Sequence, residues 1–166
     1  MTETNIVVDN MALDYEGLFN AKDYYKLLDG FFAEKNYDKR EGLSMEKVEA
    51  SGKYIELEIE PYRKLTDYAK AVIRVRTKMF NVKEVEVEKD GHKLRLNQGK
   101  INILIDGLIQ TDYENRWTDR PFYVFMRTLY DKFIYKRYMD DYTKYLKDEV
   151  GQLHTQLKSF FNLYRY

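Results

Sequence analysis

The side chains that most often carry catalysis or bind metals are scarce in this chain. It has no cysteine and only two histidines among 166 residues, which excludes disulfides, thiolate nucleophiles and thiolate zinc sites. His92 lies in or just after an Asp-Gly pair, where a solvated turn residue is expected. His154 lies among apolar residues of the last predicted helix and has no obvious partner base. We expect neither histidine to be catalytic.

Two pairs of carboxylates have the spacing to suggest general acid–base chemistry, Asp112 with Glu114 and Asp140 with Asp141. Adjacent residues of a helix point in different directions, so the second pair would not converge on one substrate atom. The sequence contains no glycine-rich phosphate loop, no serine-centred elbow and no metal-ligand spacing. It therefore predicts no catalytic residue, no metal site and no cofactor, and it favours a protein that is not an enzyme.

Size, charge and hydropathy limit the remaining classes of function. The chain is as long as one domain, and its 28 Lys and Arg residues balance 28 Asp and Glu residues. A net charge of zero gives no global attraction to nucleic acid or to an anionic membrane. The N-terminus lacks the pattern of a signal peptide, and no apolar stretch is long enough to span a membrane. These features predict a globular, cytoplasmic protein.

The first half of the chain reads as a strand, a helix and a connector. Residues 5–13 look like a first strand, and Asn20 can cap a helix that Asn36 could end near Tyr37. Residues 38–52 are polar and contain two glycines, so they read as a connector with at most a short helical turn. Strands with one solvent-exposed face follow at Tyr54–Glu60 and Tyr68–Met79.

The strands are expected to pair as an antiparallel meander. Placing Ile59 opposite Ala71 would put Leu57 opposite Ile73 and Glu56 opposite Arg74, which satisfies both faces. The Asp90–Gly91 pair predicts a two-residue hairpin that pairs Glu88 with Lys93, Val87 with Leu94 and Val85 with Leu96. A second two-residue turn is predicted at Gln98–Gly99. The strand after it runs past Gly107, which could mark a bend or a close approach of the backbone, toward Trp117.

The remaining residues have helical periodicity to the C-terminus. Thr118 or Asp119 can cap this helical region, and Pro121 fits in its first turn. One helix from there to residue 165 would be about 70 Å long at 1.5 Å per residue. A globule of this size is only about 40 Å across. We therefore expect the helix to break near Gly151 or Asp140–Asp141, or else to project from the domain.

The predicted fold class is α+β, with an N-terminal strand and helix and an antiparallel β-meander packed against a long C-terminal helix. This order of elements over residues 5–145 resembles the helix-grip fold of the START-like (SRPBCC) superfamily. The resemblance implies a cavity for a hydrophobic ligand between sheet and helix, although some members are enzymes and others act as protein partners. The expected division is a helix-grip-like domain at 1–145 and a C-terminal helical extension at 146–166.

Three functions remain open. The first is an interaction module, not an enzyme, that self-associates or docks on a larger assembly through the extended C-terminal helix. The second is a carrier of a hydrophobic small molecule, and the third is association with ribosomal or other RNA through basic and aromatic residues of the C-terminal segment. The expected partner interface comprises Tyr142, Leu146, Val150, Leu153, Leu157, Phe160, Phe161 and Tyr164. The cavity, if it is not an ordinary core, would be lined by Ile55, Leu57, Ile73, Val75, Leu94, Ile103, Ile105, Ile109, Phe122, Met126, Leu129 and Phe133.

Overall fold

A computed structural model describes residues 2–111, 121–130, 132–133 and 136–164. The predicted α+β class is confirmed: a six-stranded antiparallel sheet packs against a long C-terminal helix. The strands follow the order β1-β6-β5-β3-β2, with the short β4 beside β5. The elements are β1 (Glu3–Phe19), α1 (Ala21–Glu34), β2 (Glu41–Glu49), β3 (Gly52–Ile59), β4 (Tyr62–Lys64), β5 (Ala69–Lys89), β6 (His92–Thr111), α2 (Pro121–Tyr130) and α3 (Lys136–Asn162).

The predicted hairpin between β5 and β6 is confirmed in its register. Asp90 and Gly91 have φ values of 52° and 77°, so both central residues are left-handed, as a type I′ turn requires. Glu88 pairs with Lys93, Val87 with Leu94 and Val85 with Leu96. Oppositely charged side chains therefore face each other across this hairpin, and apolar side chains face apolar ones.

The second predicted turn, at Gln98–Gly99, is wrong because β6 continues through these residues as one strand of 20 residues. Gly99 instead lies where the backbone of β5 comes close, next to an irregularity in the β5–β6 register between Phe80 and Lys83. A Cβ atom at Gly99 would stand 2.8 Å from the carbonyl oxygen of Phe80. The glycine accommodates this close approach and does not reverse the chain.

The predicted pairing of Ile59 with Ala71 is also wrong, because Ile59 pairs with Val75. The strand β4 occupies the expected place, where Arg63 pairs with Ala71. The displacement from 71 to 75 is an even number of residues, so every side chain keeps its predicted face. The predicted connector at 38–52 contains β2, which lies at the edge of the sheet and is exposed along its whole length.

The predicted ends of α1 are confirmed. The side chain of Asn20 accepts hydrogen bonds from the backbone N–H groups of Lys22 (3.0 Å) and Asp23 (3.3 Å). Asn36 follows the helix with a φ of 59°, and the N–H of Tyr37 donates to the carbonyl of Phe32 at 2.8 Å. This left-handed residue and backward hydrogen bond are the usual way to end a helix.

The helix α3 runs without interruption from Lys136 to Asn162, so the expected breaks at Gly151 and Asp140–Asp141 are absent from it. Its 27 residues give a length of about 40 Å, which matches the width of a globule of this size. The sheet comes close to α3 at Gly107, where a Cβ atom would lie 3.2 Å from a methyl group of Val150. The close-approach interpretation of Gly107 is therefore confirmed.

The domain boundary expected between residues 145 and 146 falls inside α3. Residues beyond that point, from Leu146 to Phe161, belong to the same hydrophobic core as the sheet. The last helix is thus part of the domain and not an extension of it.

None of the helices in the described ranges combines the length and the apolar composition needed to cross a membrane. The predicted cap at Thr118 or Asp119 and the strand end toward Trp117 lie outside the described residues.

Candidate functional site

The expected partner interface on α3 is buried in the chain's own core. Leu146, Val150, Leu153 and Leu157 are at most 1% exposed. Phe161 stacks on Tyr15 of β1 with ring centroids 4.7 Å apart. The rest of the predicted set packs against the same core while partly buried: Tyr142, Phe160 and Tyr164. The prediction is corrected because α3 lies along the sheet and does not project from it.

The expected ligand cavity between sheet and helix is filled on its sheet side. Five of the predicted lining residues are fully buried in the cluster that holds the α3 side chains: Ile73, Val75, Ile103, Ile105 and Ile109. Leu94 lies outside this space and is 41% exposed, which is a second correction. Ile55 and Leu57 are only partly buried, and both line a cleft described below.

The helical residues expected to line the cavity are exposed. Phe122 is 67% exposed and Phe133 is 71% exposed, and Met126 and Leu129 are partly open as well. This is the third correction. The predicted partner interface and the helical part of the predicted cavity lining have exchanged places. The set assigned to a partner forms the core, and the helical half of the set assigned to the interior faces solvent.

One side of the helix α2 contacts β1 and the segment before β5 through Arg127 and Tyr130. Nη2 of Arg127 lies 3.0 Å from a carboxylate oxygen of Glu3 in β1, and its Nε donates to the Tyr68 hydroxyl at 3.0 Å. The ring of Tyr130 meets Tyr68 edge to face at 6.3 Å. Residues 123, 127 and 130 share one side of a helix. The neighbouring side carries the exposed residues Phe122, Phe125, Met126 and Leu129.

A cleft of about 260 Å³ opens between α1 and the β2–β3 end of the sheet. Its apolar wall consists of Leu28 from α1 and Ile55, Leu57 and Ile59 from β3. The buried residues of α1 are Tyr24, Leu28, Phe31 and Phe32, all facing the centre of the core. Every residue of β2 is exposed, so no helix in the described ranges covers this strand as α1 covers the core.

Charged side chains form the rim of this cleft. Lys39 bridges Asp29 at 3.0 Å and Glu41 at 3.4 Å. Glu46, on β2, pairs with Lys53 at 3.0 Å. Tyr25 also lines the cleft, and partial burial, together with the negative charge of Glu46, raises the pKa of its phenol.

A buried polar cluster connects α3 to the end of α1 and to β4. The hydroxyl of Tyr37 donates to Glu149 at 2.6 Å, and Nη1 of Arg63 donates to the other carboxylate oxygen at 2.8 Å. The Arg63 guanidinium lies over the Tyr37 ring at 4.9 Å. These three residues are far apart in the sequence, and no sequence motif indicates that they meet. All of the side-chain charge in the cluster is paired, which indicates a structural role.

We expect the protein to lose stability at alkaline pH because Tyr24 and Tyr37 are buried. Burial raises the pKa of Tyr24 and of Tyr37 above the usual range, and the hydrogen bond with Glu149 raises that of Tyr37 further. Above about pH 10 the unfolded chain releases these protons while the folded chain keeps them. The free energy of unfolding should therefore fall by about 1.4 kcal/mol per pH unit for each tyrosine.

Urea titrations between pH 9 and pH 11 measure this slope. Replacing Tyr24 with phenylalanine should remove one tyrosine's share of it, although the lost hydrogen bond to Thr77 lowers stability by a constant amount. Tyr145, which is 64% exposed, supplies the matched control Tyr145→Phe with an unchanged slope. Equal slopes in the wild type and in Tyr24→Phe would contradict the prediction.

Ion pairs join neighbouring strands on the outer face of the sheet. Arg74 pairs with Glu60 at 2.6 Å, and Arg76 pairs with Asp106 at 2.8 Å. Asp106 also accepts a 2.7 Å hydrogen bond from the backbone of Asn10, at an irregularity in β1. These contacts pair the charges of Arg74 and Arg76 on β5 with carboxylates.

The two histidines lie in different parts of the fold, one on α3 and one at the β5–β6 hairpin. Nε2 of His154 lies 3.1 Å from the carbonyl oxygen of Ala12, which is a contact between α3 and β1. His92 is exposed and pairs with Lys89 at the hairpin turn. Across the described ranges, no three His, Asp or Glu side chains are grouped so that they could hold a metal ion. Asp112 and Glu114 lie outside the described residues.

Comparisons with known proteins add no name to this geometry. Scans against protein-family models, curated proteins and solved structures each returned no match.

Proposed function

We propose that this protein is an interaction module, not an enzyme, that docks onto another protein through α2. The observation that carries the proposal is the exposure of large apolar side chains on this one short helix. Phe122, Tyr123, Val124 and Phe125 are each at least 43% exposed, although they follow one another in the sequence. Soluble proteins rarely leave such a contiguous apolar patch uncovered unless it binds something.

The shape of the patch favours a partner with an apolar groove. Phe122, Phe125, Met126 and Leu129 follow the spacing by which an amphipathic helix fills a groove. Val124 lies on a different side of α2 and is 51% exposed, so the apolar surface extends around much of the helix. In a symmetric dimer, a second copy of the chain would present the same convex helix, which covers one stripe. A groove covers more of the circumference.

Two further features support a protein partner in the cytoplasm. The net charge of zero gives no attraction to anionic lipid, which weakens the case for a membrane surface. The absence of cysteine suits a reducing compartment, although it does not require one. The resemblance in element order to the START-like superfamily agrees with this role, because some of its members act as protein partners. A carrier role is less well supported, since the sheet residues expected to line a cavity are packed.

Site-specific photo-crosslinking tests the proposal. A benzophenone amino acid would replace Phe122 in one protein and Leu163, which is 73% exposed on the opposite end of the helical region, in a control. In cells that naturally produce the chain, we expect a discrete protein adduct from position 122 and none from position 163. The partner would then be purified and titrated against the unmodified protein.

Quantitative binding decides the outcome. Phe125→Asp should weaken the affinity of the purified partner at least roughly tenfold, as for an aromatic hot spot, whereas Leu163→Asp should leave it unchanged. Both substitutions are at exposed positions, so both variants should keep the wild-type melting temperature. An adduct to a second copy of this chain, an adduct to lipid, or equal affinities of the two variants would overturn the proposal.

A further inference from the structure

The strand β2 is an open edge of the sheet. The strand order places β3 on one side of β2, and no other strand of the described residues lies on its far side. All nine of its residues, Glu41–Glu49, are exposed. Because an antiparallel strand directs alternate backbone groups to its two sides, every second residue of β2 offers its N–H and C=O to the open side.

The cleft beside α1 reaches this edge. Ser44 of β2 pairs with Leu57 of β3, and Glu46 pairs with Ile55. Paired residues of neighbouring strands share a face, so Ser44 and Glu46 lie on the core-facing side with the apolar wall of the cleft. The side chain of Ser44 is small, so that it leaves Leu57 accessible from the edge of the sheet. Ser44, Glu46, Ile55 and Leu57 all line the cleft.

The cleft opens along the exposed edge strand, so a side chain of a strand added beside β2 can reach it. This cleft holds about 260 Å³ and lies along an exposed strand. One apolar side chain of a strand placed beside β2 would enter it over Ser44.

The charges of the rim define the partner further. The cleft is lined by three carboxylates, Asp29, Glu41 and Glu46, and by one ammonium group, that of Lys39, which gives a formal charge of −2. Counting Lys53, which pairs with Glu46 from outside the lining, the charge is −1. Glu41 pairs with Ile59 ahead of an irregularity in the β2–β3 register, so it shares the core-facing side with Ser44 and Glu46. Glu41 and Glu46 therefore lie on either side of Ser44 on that face. A basic residue on each side of the apolar one would complement them.

We propose that β2 binds an extended, basic segment of a protein partner by strand addition. The backbone of that segment bonds to the open edge, and its core-facing side chains follow the order basic, apolar, basic at alternate positions. The apolar side chain fills the cleft over Ser44 against Leu57, and the basic ones meet Glu41 and Glu46. This mode takes affinity from the main chain and specificity from the alternate side chains. It is independent of the role proposed for α2.

A synthetic peptide provides the test: acetyl-Thr-Lys-Thr-Leu-Thr-Lys-Thr-amide, in which lysine, leucine and lysine share one face. Its pattern is the same in both directions, so it fits a parallel or an antiparallel addition. In titrations of the isotope-labelled protein by NMR, we expect saturable shifts in β2 and around the cleft. Alternate amides of β2 should exchange with solvent more slowly in the complex, because they become hydrogen bonded.

Peptide and protein variants separate the contributions. Replacing both lysines of the peptide with glutamate should weaken binding at least fivefold, and replacing its leucine with alanine should weaken it roughly tenfold. In the protein, Ser44→Phe should block the cleft and weaken binding at least fivefold. Leu43→Phe, one residue away on the opposite face, is the matched control and should bind as the wild type does.

Several results would overturn strand addition. One is the absence of saturable binding up to about 1 mM peptide, a concentration at the weak end of specific affinity. Another is equal binding of the peptide in which both lysines are replaced with glutamate. Binding that leaves the exchange of the β2 amides unchanged would also overturn it, because a side-chain contact alone does not protect them. The peptide comparisons use the unaltered protein, so they decide the question even if Ser44→Phe fails to fold.

Discussion

Replacing Leu153 with aspartate is expected to unfold the protein. Leu153 is fully buried on α3, in the cluster that joins this helix to the sheet. A carboxylate there would lose its hydration without gaining a partner, a cost that exceeds the stability of most domains of this size. The milder change Leu153→Ala should lower the free energy of unfolding by about 2–5 kcal/mol, as cavity-forming substitutions do. Circular dichroism and urea titration measure both effects.

The exposed residue Gln156 on the same helix supplies the control. Gln156→Asp introduces the same charge three residues away and should change stability by less than about 0.5 kcal/mol. If α3 were instead a projecting interface, Leu153→Asp would leave the fold intact and alter only association. A folded, stable Leu153→Asp protein would therefore contradict the placement of α3 in the core.

Features with a local physical cause were predictable from the sequence. The hairpin at Asp90–Gly91 followed from residues that tolerate positive φ, and its register followed from the pairing of charged and apolar residues. The cap at Asn20 likewise depends on a side chain and on backbone groups two and three residues away. In both cases the residues that determine the structure are neighbours in the chain.

The roles of the two helical stripes were not predictable in the same way. A helical row of apolar residues is equally suited to the chain's own core and to a partner. Leu153 on α3 and Phe122 on α2 have the same local pattern, yet the first is buried and the second is exposed. What separates them is the packing of α3 along the sheet, including β1, whose contacting residues lie more than 100 positions away in the sequence.

The strand β2 and the cleft were missed for a related reason. An edge strand exposed on both faces shows no alternation of burial, so Glu41–Glu49 resembles a polar connector. With β2 beside β3, the side chains of Ile55 and Leu57 line a cleft that Leu28 of α1 borders on the other side. The cleft therefore arises from the order of the strands, and sequence periodicity could identify only part of its wall.

The buried cluster around Glu149 gives the second large expected effect. Glu149→Ala should lower the free energy of unfolding by about 3 kcal/mol, the low end of the range for breaking a buried ion pair, because Arg63 retains some contact with solvent. The loss arises mainly from the groups left behind: the guanidinium of Arg63 and the hydroxyl of Tyr37 would both lack their partner. Urea titration of Glu149→Ala beside Asp148→Ala, an exposed neighbour, isolates the effect of burial.

A triple variant distinguishes the cost of breaking the cluster from its net contribution. Glu149→Leu, Arg63→Leu and Tyr37→Phe together remove both charges and the phenol hydroxyl, and only the carbonyl of Lys35 loses a hydrogen bond that Arg63 donated to it. Replacing a buried ion pair with apolar side chains is often neutral or stabilising. We therefore expect the triple variant to be more stable than Glu149→Ala by at least about 2 kcal/mol. A triple variant no more stable than Glu149→Ala would show that the ion pair itself holds α3 to β4 and to the end of α1. The first result would mean that the cluster fixes how these elements meet and adds little to the strength with which apolar packing already holds them.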